Sequence, residues 1–338
     1  MITSGSLRTL VADVHRIGRR RDIGTQRRPT IDDGTHFVAL VKPEVMQIGS
    51  AADAMAEVAR VLGEADVTAL RYALIPAREY GELGFLMQHY PRLHRIAVDG
   101  ARGLCTYAHR EFTSLLDQSE ADIAVGAFQA GAYELALTAE MLEARCRQAG
   151  IHKLGSGSYA SVVDLNGCPV VVLNGFVPAL ASSYGSDRTS LVGLVECHSY
   201  REIADLRAHV LGALNPSAAP PTSLRGALGR LVDRQYGITL SEGRNGVHLS
   251  AGHLEGMFQV WRYFAAADGL GLECTVLGRA LANRRIRMAA VAEMAADHNF
   301  SEGSGRNVSP HGATENLNRE AVIDCVVRWT DESRGSHA

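Results

Sequence analysis

Apolar and polar positions follow their most regular pattern in the first third of the chain. Residues 36–42 and 67–75 are apolar runs typical of buried strands, and residues 51–62 between them carry apolar side chains at helical spacing. Pro76 favours a helix start, because proline suits the first helical turn, and we expect this helix to continue to Tyr90. This part of the pattern therefore predicts strand, helix, strand, helix.

A similar order returns after residue 190. Residues 191–196 predict a strand and residues 200–211 a helix, and a proline-rich loop follows at 214–226. A short strand at 246–249 and a helix at 253–264 complete the series. Together the two parts give the β-α-β-β-α-β order of a ferredoxin-like fold. This order predicts an α+β protein with an antiparallel sheet and helices on one face.

The remaining segments have a different character. Residues 121–149 are rich in Ala, Leu and Glu, which favours a helix, and residues 159–176 predict a hairpin, because Asn166 and Gly167 separate two apolar runs. We therefore expect four parts: a flexible arginine-rich arm at 1–34, a core domain formed by 35–93 and 190–265, an inserted helix and hairpin subdomain at 94–189, and a C-terminal extension at 266–338.

Composition limits the class of protein. Of 338 residues, 46% are hydrophobic and 21% are charged, so the chain can bury a core. A formal net charge of -3 argues against a nucleic-acid partner. The sequence shows neither a long apolar run nor the apolar core of a secretion signal, so we expect no membrane partner and a cytoplasmic location. The six cysteines are widely spaced, which predicts neither a zinc site nor a disulfide framework.

Lysine is rare in a chain that otherwise uses arginine. Of the 34 basic residues, two are lysines, Lys42 and Lys153. Lys42 follows the first predicted strand, where an ammonium group could meet a phosphate as a point charge, although a solvated strand end explains it equally well. Lys153 precedes a Gly/Ser-rich stretch that is typical of a flexible turn, or that could hold a second phosphate.

The densest cluster of polar residues lies at 242–250 and contains Asn245, His248 and Ser250. A neutral imidazole at a strand end can act as a nucleophile toward phosphorus. A lone histidine is also common as a structural residue, so this signal alone leaves both interpretations open. The proline-rich loop that ends at Arg225 could hold a polyphosphate, or it could be an ordinary surface loop.

Four short motifs occur in a fixed order: VKPEV at 41–45, HY at 89–90, NP…SLRG at 215–226 and GRNGVHLS at 243–250. This set resembles the nucleoside diphosphate kinase family, whose motifs KPD, HY, TNP…TIRG and GRNxxHGS follow in the same order. The resemblance covers about 36–93 and 190–264. It implies that a phosphoryl group moves from a nucleoside triphosphate, through a phosphohistidine, to a nucleoside diphosphate or another small-molecule acceptor.

The resemblance also implies roles for individual residues. His248 would carry the phosphoryl group, with Ser250 and Gln259 as supporting residues, and Phe112 would stack on the base. Mg²⁺ would bind together with ATP or another nucleoside triphosphate, and the closed oligomers of the family imply a homo-oligomer. The residues that would bind nucleotide and phosphate are Lys42, Tyr90, Arg207, Arg225 and Asn245.

The chain departs from the family pattern at four positions. Leu214 replaces the threonine before Asn-Pro, and Leu249 replaces the glycine after the histidine. Ala251 stands in place of an aspartate, and Gln259 in place of the carboxylate that orients the imidazole. An amide stabilises an imidazolium less than a carboxylate does. The alternative function is therefore a nucleotide-binding, kinase-like module that has lost efficient phosphotransfer and acts as a sensor or scaffold.

Overall fold

The computed structural model describes residues 3–24, 32–119, 121–185, 189–302 and 306–335, with side chains up to residue 330. The chain divides into two compact units. The first unit contains residues up to 83 together with 187–292 and 314–327. The second unit contains 84–186, 293–313 and the residues from 328 onward. The predicted C-terminal extension at 266–338 is thus shared between the two units and does not form a separate part.

Helices and strands are named here in chain order. The strands are β1 (Arg21–Gly24), β2 (Thr35–Val41), β3 (Thr68–Pro76), β4 (Ile123–Gly126), β5 (His152–Gly155), β6 (Ser158–Leu165), β7 (Cys168–Leu173), β8 (Leu191–Ser199), β9 (Val247–Leu249), β10 (Phe300–Ser301) and β11 (Asn307–Val308). The α-helices are α1 (Ser4–Ile17), α2 (Ala51–Glu64), α3 (Ala77–Glu82), α4 (Phe85–His89), α5 (Pro91–Asp99), α6 (Thr106–Asp117), α7 (Ala139–Ala149), α8 (Val177–Gly185), α9 (Ile203–Asp205), α10 (Leu224–Tyr236), α11 (His253–Val260), α12 (Val276–Asn283), α13 (Met288–Ala292), α14 (Pro310–Ala313) and α15 (Arg319–Gly335).

Two of these helices continue in a different form. Helix α9 runs into a π-helical turn at Leu206–Leu211, and α11 runs into another at Trp261–Ala265. Short 3-10 turns occupy Pro43–Val45, Gly100–Gly103, Ala127–Ala132, Pro216–Ala218, Ala266–Asp268, Leu272–Cys274 and Glu293–Ala296. A stretch of π-helix is often found at a functional site, and the one at Leu206–Leu211 contains Arg207.

The first unit is built on a five-stranded sheet with the order β1-β3-β8-β2-β9, in which all neighbours are antiparallel. If β2, β3, β8 and β9 are numbered one to four along the chain, their order in the sheet is 4-1-3-2. The register of β2 against β9 places Leu40 opposite His248 and Val41 opposite Val247. The fold is therefore mixed α+β, and the four predicted core strands all form.

Helices cover both faces of this sheet. On one face, α1, α2 and α10 share an apolar core with side chains such as Phe37. On the other, α11 lies so close to β2 that a Cβ atom on Gly256 would be 2.7 Å from the carbonyl oxygen of His36, and the turn after α11 accepts a 3.1 Å hydrogen bond at Phe264 O from Arg71 of β3. The prediction of helices on one face is wrong, because β2 is buried at every position and needs cover on both sides.

The predicted flexible arm is also wrong for the described residues near the N-terminus. Helix α1 buries Leu7, Leu10, Val11 and Val14 in the core, because these four residues share one helical face. Strand β1 then pairs antiparallel with β3 at the edge of the sheet. Residues 25–31 of the predicted arm lie outside the described residues.

The second unit contains a four-stranded sheet with the order β4-β7-β6-β5. The predicted hairpin is confirmed as β6 and β7, with Asn166 and Gly167 at positive φ values of 53° and 81° in the turn. The helix predicted over 121–149 forms only in its last part as α7, because β4 pairs parallel to β7 and takes the first part into the sheet. Within the described ranges, no helix combines the length and apolar character needed to cross a membrane.

Candidate functional site

In the first unit, the end of β2 meets the turn that leads into β9. The backbone N–H of Lys42 donates a 2.9 Å hydrogen bond to the carbonyl oxygen of Gly246, and the N–H of Gly246 donates a 3.0 Å bond to the Glu44 carboxylate. Gly246 has a φ of 78°, and a Cβ atom there would lie 3.1 Å from both Val45 and Leu240. Glycine is therefore needed at the residue that leads the chain into β9.

Lys42 and Asn245 form a direct side-chain contact at this turn. The Lys42 ammonium donates a 2.8 Å hydrogen bond to Asn245 Oδ1, and both residues are buried. The amide of Asn245 donates in turn to Glu242 O at 3.0 Å, which fixes its orientation. Burial lowers the pKa of Lys42, and the nearby positive charge of Arg225 lowers it further. The sequence prediction that Lys42 and Asn245 belong to one site agrees with this contact.

Arg225 lies beside β9 and donates a hydrogen bond to its backbone. It is the second residue of α10, whose first turn is capped by Ser223, since the Ser223 hydroxyl accepts a 3.3 Å hydrogen bond from the N–H of Gly226. The buried guanidinium group donates to Val247 O at 3.4 Å and to Gly212 O at 3.2 Å. These contacts hold the cation against the strand that carries His248.

Arg207 approaches the other end of β9. Its guanidinium group donates to Ala251 O at 3.2 Å and to Glu315 Oε1 at 2.9 Å, and it also hydrogen-bonds Asn316 Oδ1. Its side chain is partly exposed. The structure therefore brings Lys42, Arg207 and Arg225 to the same short strand from three different elements. Their predicted binding of phosphate stays a prediction.

His248 lies on the strand that these three cations approach, and their charges act on its imidazole. Its side chain retains 20% of its exposure, and its Nε2 atom lies 3.4 Å from Glu255 Oε1. The pKa of His248 is well below the ordinary value of 6.5, mainly because of burial and then because of the positive charges of Lys42, Arg207 and Arg225. The imidazole is therefore neutral at pH 7 and keeps the lone pair that a nucleophile needs.

Glu255 is a site residue that the sequence reasoning missed. Its carboxylate accepts hydrogen bonds from Gln259 Nε2 and, at 3.2 Å, from the backbone N–H of Ala251, besides its contact with His248. Glu255 faces inward from α11, whose eight residues are all buried. A single acidic residue in such a helix is the sequence signal that could have found it, since a buried carboxylate needs a partner.

The role predicted for Gln259, which was contact with the imidazole in place of a carboxylate, is wrong. Gln259 donates to Glu255 and accepts a 2.6 Å hydrogen bond from the hydroxyl of Ser250. It therefore reaches the imidazole only through Glu255. Ser250 also accepts a 3.0 Å bond from the N–H of Val38 in β2. Ser250 and Gln259 thus support the surroundings of His248 through Glu255.

Two of the departures from the family pattern can be placed. Leu249 points into the core shared by α1, α2 and α10, on the face opposite His248, because side chains alternate along a strand. It therefore does not crowd the imidazole. Leu214, where the family has a threonine hydroxyl, is 54% exposed on the loop before Pro216.

Two of the predicted site residues, Tyr90 and Phe112, lie in the second unit. Tyr90 lies between α4 and α5, and its ring packs edge-on against that of His89 at 4.5 Å. Its predicted contact with the phosphoryl group stays a prediction. Phe112 is wrong as a base-stacking residue, because it is 6% exposed in an apolar core with Leu104 and Leu154, which leaves no ring face for a base.

The three cations whose charges act on His248 favour an anionic ligand. The charges of three cations act on the imidazole, whereas Glu255 lies 3.4 Å from its Nε2 atom, and Glu44 and Glu315 are hydrogen-bonded to Gly246 and Arg207. No protein-family model, curated protein or solved structure matches the chain.

Proposed function

We propose that the protein is a phosphotransferase that moves the γ-phosphoryl group of a nucleoside triphosphate through His248 to a nucleoside diphosphate or another small-molecule acceptor. The observation that carries this proposal is the neutral, partly exposed imidazole, whose pKa is lowered by burial and then by three nearby cations. The strand order 4-1-3-2 supports the finer description of the first unit as a ferredoxin-like fold, with an extra edge strand and a helix on the second face.

The contact of Nε2 with Glu255 favours reaction at the other ring nitrogen. If the Nε2–H donates to the Glu255 carboxylate, the lone pair is on Nδ1. Nδ1 attacks the γ-phosphorus, the bond from that phosphorus to the β–γ bridging oxygen breaks, and the nucleoside diphosphate leaves with the electron pair. The Nε2 proton stays beside Glu255, which stabilises the positive charge on the phosphorylated ring. In the second half of the reaction, the acceptor oxygen attacks the same phosphorus and Nδ1 is the leaving group.

The cations supply the electrostatic part of the mechanism. Lys42 and Arg225 are held in fixed positions by Asn245 and by backbone carbonyl groups, so they need little rearrangement as charge develops on the phosphate oxygens. Arg207 adds a third cation at the other end of β9. Magnesium, when bound with the nucleotide, would neutralise further charge on the phosphate oxygens.

The test is transfer of label from ATP labelled in the γ-phosphate. We expect the wild-type protein to acquire a label that is stable to base and labile to acid, as a phosphohistidine is. His248→Ala should abolish it. The matched control is His209→Ala, since His209 is exposed and paired with Asp205. Equal labelling of the wild type and His248→Ala would overturn the proposal.

One observation favours the second candidate, a nucleotide-binding module without efficient transfer. Each of the three cations already hydrogen-bonds to a protein group: Lys42 to Asn245, Arg207 to Glu315 and Arg225 to backbone carbonyl groups. A nucleotide would have to share or replace these contacts. Nucleotide binding without phosphohistidine formation would support this candidate, whereas turnover with a diphosphate acceptor would exclude it.

A further inference from the structure

The segment 314–318, which precedes α15, lies along the residues that follow β9. The N–H of Asn316 donates a 3.1 Å hydrogen bond to Ala251 O, and a Cβ atom on Gly252 would lie 2.7 Å from the carbonyl oxygen of Thr314. The segment thus runs past the chain only three residues beyond His248. Helix α15 then fixes its C-terminal end, because Val322 is fully buried.

This segment supplies acceptors to the Arg207 guanidinium group. Nη2 of Arg207 donates to the Glu315 carboxylate at 2.9 Å, and Nη1 donates to Asn316 Oδ1 and to Ala251 O. The buried Nε of Arg207 has no hydrogen-bond partner among the described residues. A guanidinium group has five N–H donors, so the 314–318 segment and Ala251 take at least three of them.

Glu315 is also close enough to act on the imidazole. Its negative charge raises the pKa of His248, against the lowering caused by burial and by the three cations. The ion pair of Glu315 with Arg207 keeps about a quarter of its exposure on each side chain, at 26% and 23%. A partly exposed ion pair is weak enough to exchange with a ligand.

We propose that the 314–318 segment is an internal competitor for the anion site, in which the Glu315 carboxylate occupies the Arg207 donors that a phosphate group of the ligand would otherwise take. This inference rests on the anion-binding part of the proposed function. Carboxylate and phosphate oxygens bind a guanidinium group in the same way, so the two cannot use the same donors at once. Ligand affinity therefore depends on release of Glu315.

The test measures binding of inorganic tripolyphosphate by calorimetry. Glu315→Gln removes the competing charge and keeps the side-chain shape, so we expect affinity to rise about fivefold, as for the loss of one partly exposed ion pair. The matched control is Glu320→Gln, which removes an equal charge from the first turn of α15, where Glu320 pairs with Arg284. Affinity that is unchanged or lower in Glu315→Gln would overturn the inference.

A double-mutant cycle separates competition from general charge repulsion. In an Arg207→Gln background, Glu315→Gln should give little gain in affinity, because the contested donors are absent. A gain as large as in the wild-type background would contradict competition at Arg207. Glu315→Asp keeps the charge on a shorter side chain and should give an intermediate gain, which keeps the test available if Glu315→Gln does not fold.

The outcome is distinguishable from that of the phosphotransfer proposal. Tighter tripolyphosphate binding by Glu315→Gln, without labelling of His248 by ATP, would keep the competitor and reject phosphotransfer. Labelling of His248 with no change in tripolyphosphate affinity would keep phosphotransfer and reject the competitor.

Discussion

Asn245 accepts a 2.8 Å hydrogen bond from the ammonium group of Lys42, and both side chains are buried at the end of β2. The bond joins residues 203 positions apart in the sequence. It holds a cation beside the strand that carries His248, where the positive charge lowers the pKa of the imidazole. The chain has one other lysine, Lys153, which can serve as a control for substitution of Lys42.

Substitution of Lys42 should change both the rate of phosphohistidine formation and the pKa of His248. Lys42→Met removes one of the charges that lower the pKa of His248, so this pKa should rise toward 6.5, as followed by NMR of the imidazole protons. Phosphohistidine formation should fall at least about tenfold, because a preorganised cation is lost. Lys153→Met, in an exposed position of β5, is the matched control and should change neither quantity. A His248 pKa that is identical in both variants would exclude the proposed role of Lys42.

Glu255 should act as a positioning residue for the imidazole. Glu255→Gln keeps the side-chain shape but removes the charge that stabilises the ring once it is phosphorylated. We expect the rate of labelling to fall about tenfold, while ATP affinity stays within about twofold. Glu242→Gln, on the exposed part of the turn before β9, should leave both unchanged. A loss of affinity with an unchanged rate would assign Glu255 to ligand binding instead.

Substitution of Gly256 tests the packing of α11 on the sheet, and Gly63 in α2 serves as the comparison. Gly256→Ala would place a Cβ atom 2.7 Å from the backbone oxygen of His36, so it should lower the free energy of unfolding by about 2 kcal/mol or more. Gly63→Ala in α2 meets no atom within 4 Å and should raise that free energy by up to about 1 kcal/mol through helix propensity. Urea denaturation of both variants checks the opposite signs. Equal effects would argue against the close contact of α11 with β2.

Stability should fall in mild acid because of His253. Burial lowers the pKa of His253 to about 4, with a further contribution from the charge of Arg319, whereas the unfolded chain binds a proton near pH 6.5. The unfolded state therefore binds more protons between these values, and this residue should cost about 2 kcal/mol of stability between pH 7 and pH 5.

The measurement for His253 is urea denaturation at these two pH values. His253→Gln should lose about 2 kcal/mol less between pH 7 and pH 5 than the wild type does. The exposed His209→Gln should show the wild-type difference. A His253→Gln variant with the wild-type pH dependence would show that this imidazole is not held neutral by the fold.

Strands β2, β3 and β8 of the first unit could be predicted from the sequence because they are long and mostly apolar, whereas the exposed edge strand β1 was missed. The pairing of β2 with β9 also brings Lys42 and Asn245 into contact at the turn that leads to His248. The N-terminal helix was missed, because the arginines around it suggested a solvated tail, although Leu7, Leu10, Val11 and Val14 occupy helical positions. In that segment the apolar pattern was a better guide than the charge.

Other residues could not be predicted because their roles depend on distant contacts. Glu315 lies 108 positions from Arg207 in the sequence, and no local pattern indicates their contact. The position of Glu255 relative to the imidazole depends on how α11 crosses β2. Phe112 was assigned by resemblance, but the apolar side of α6 packs on the sheet of the second unit and takes the ring into the core.

The proposed reaction requires that one nitrogen of His248 carries a phosphoryl group. Phosphorus NMR of the protein after incubation with ATP and magnesium distinguishes phosphate on Nδ1 from phosphate on Nε2. We expect a single phosphohistidine signal of the Nδ1 type, which transfers its phosphate on addition of a nucleoside diphosphate and is absent in His248→Ala. A signal of the Nε2 type, or no phosphohistidine signal at all, would contradict it.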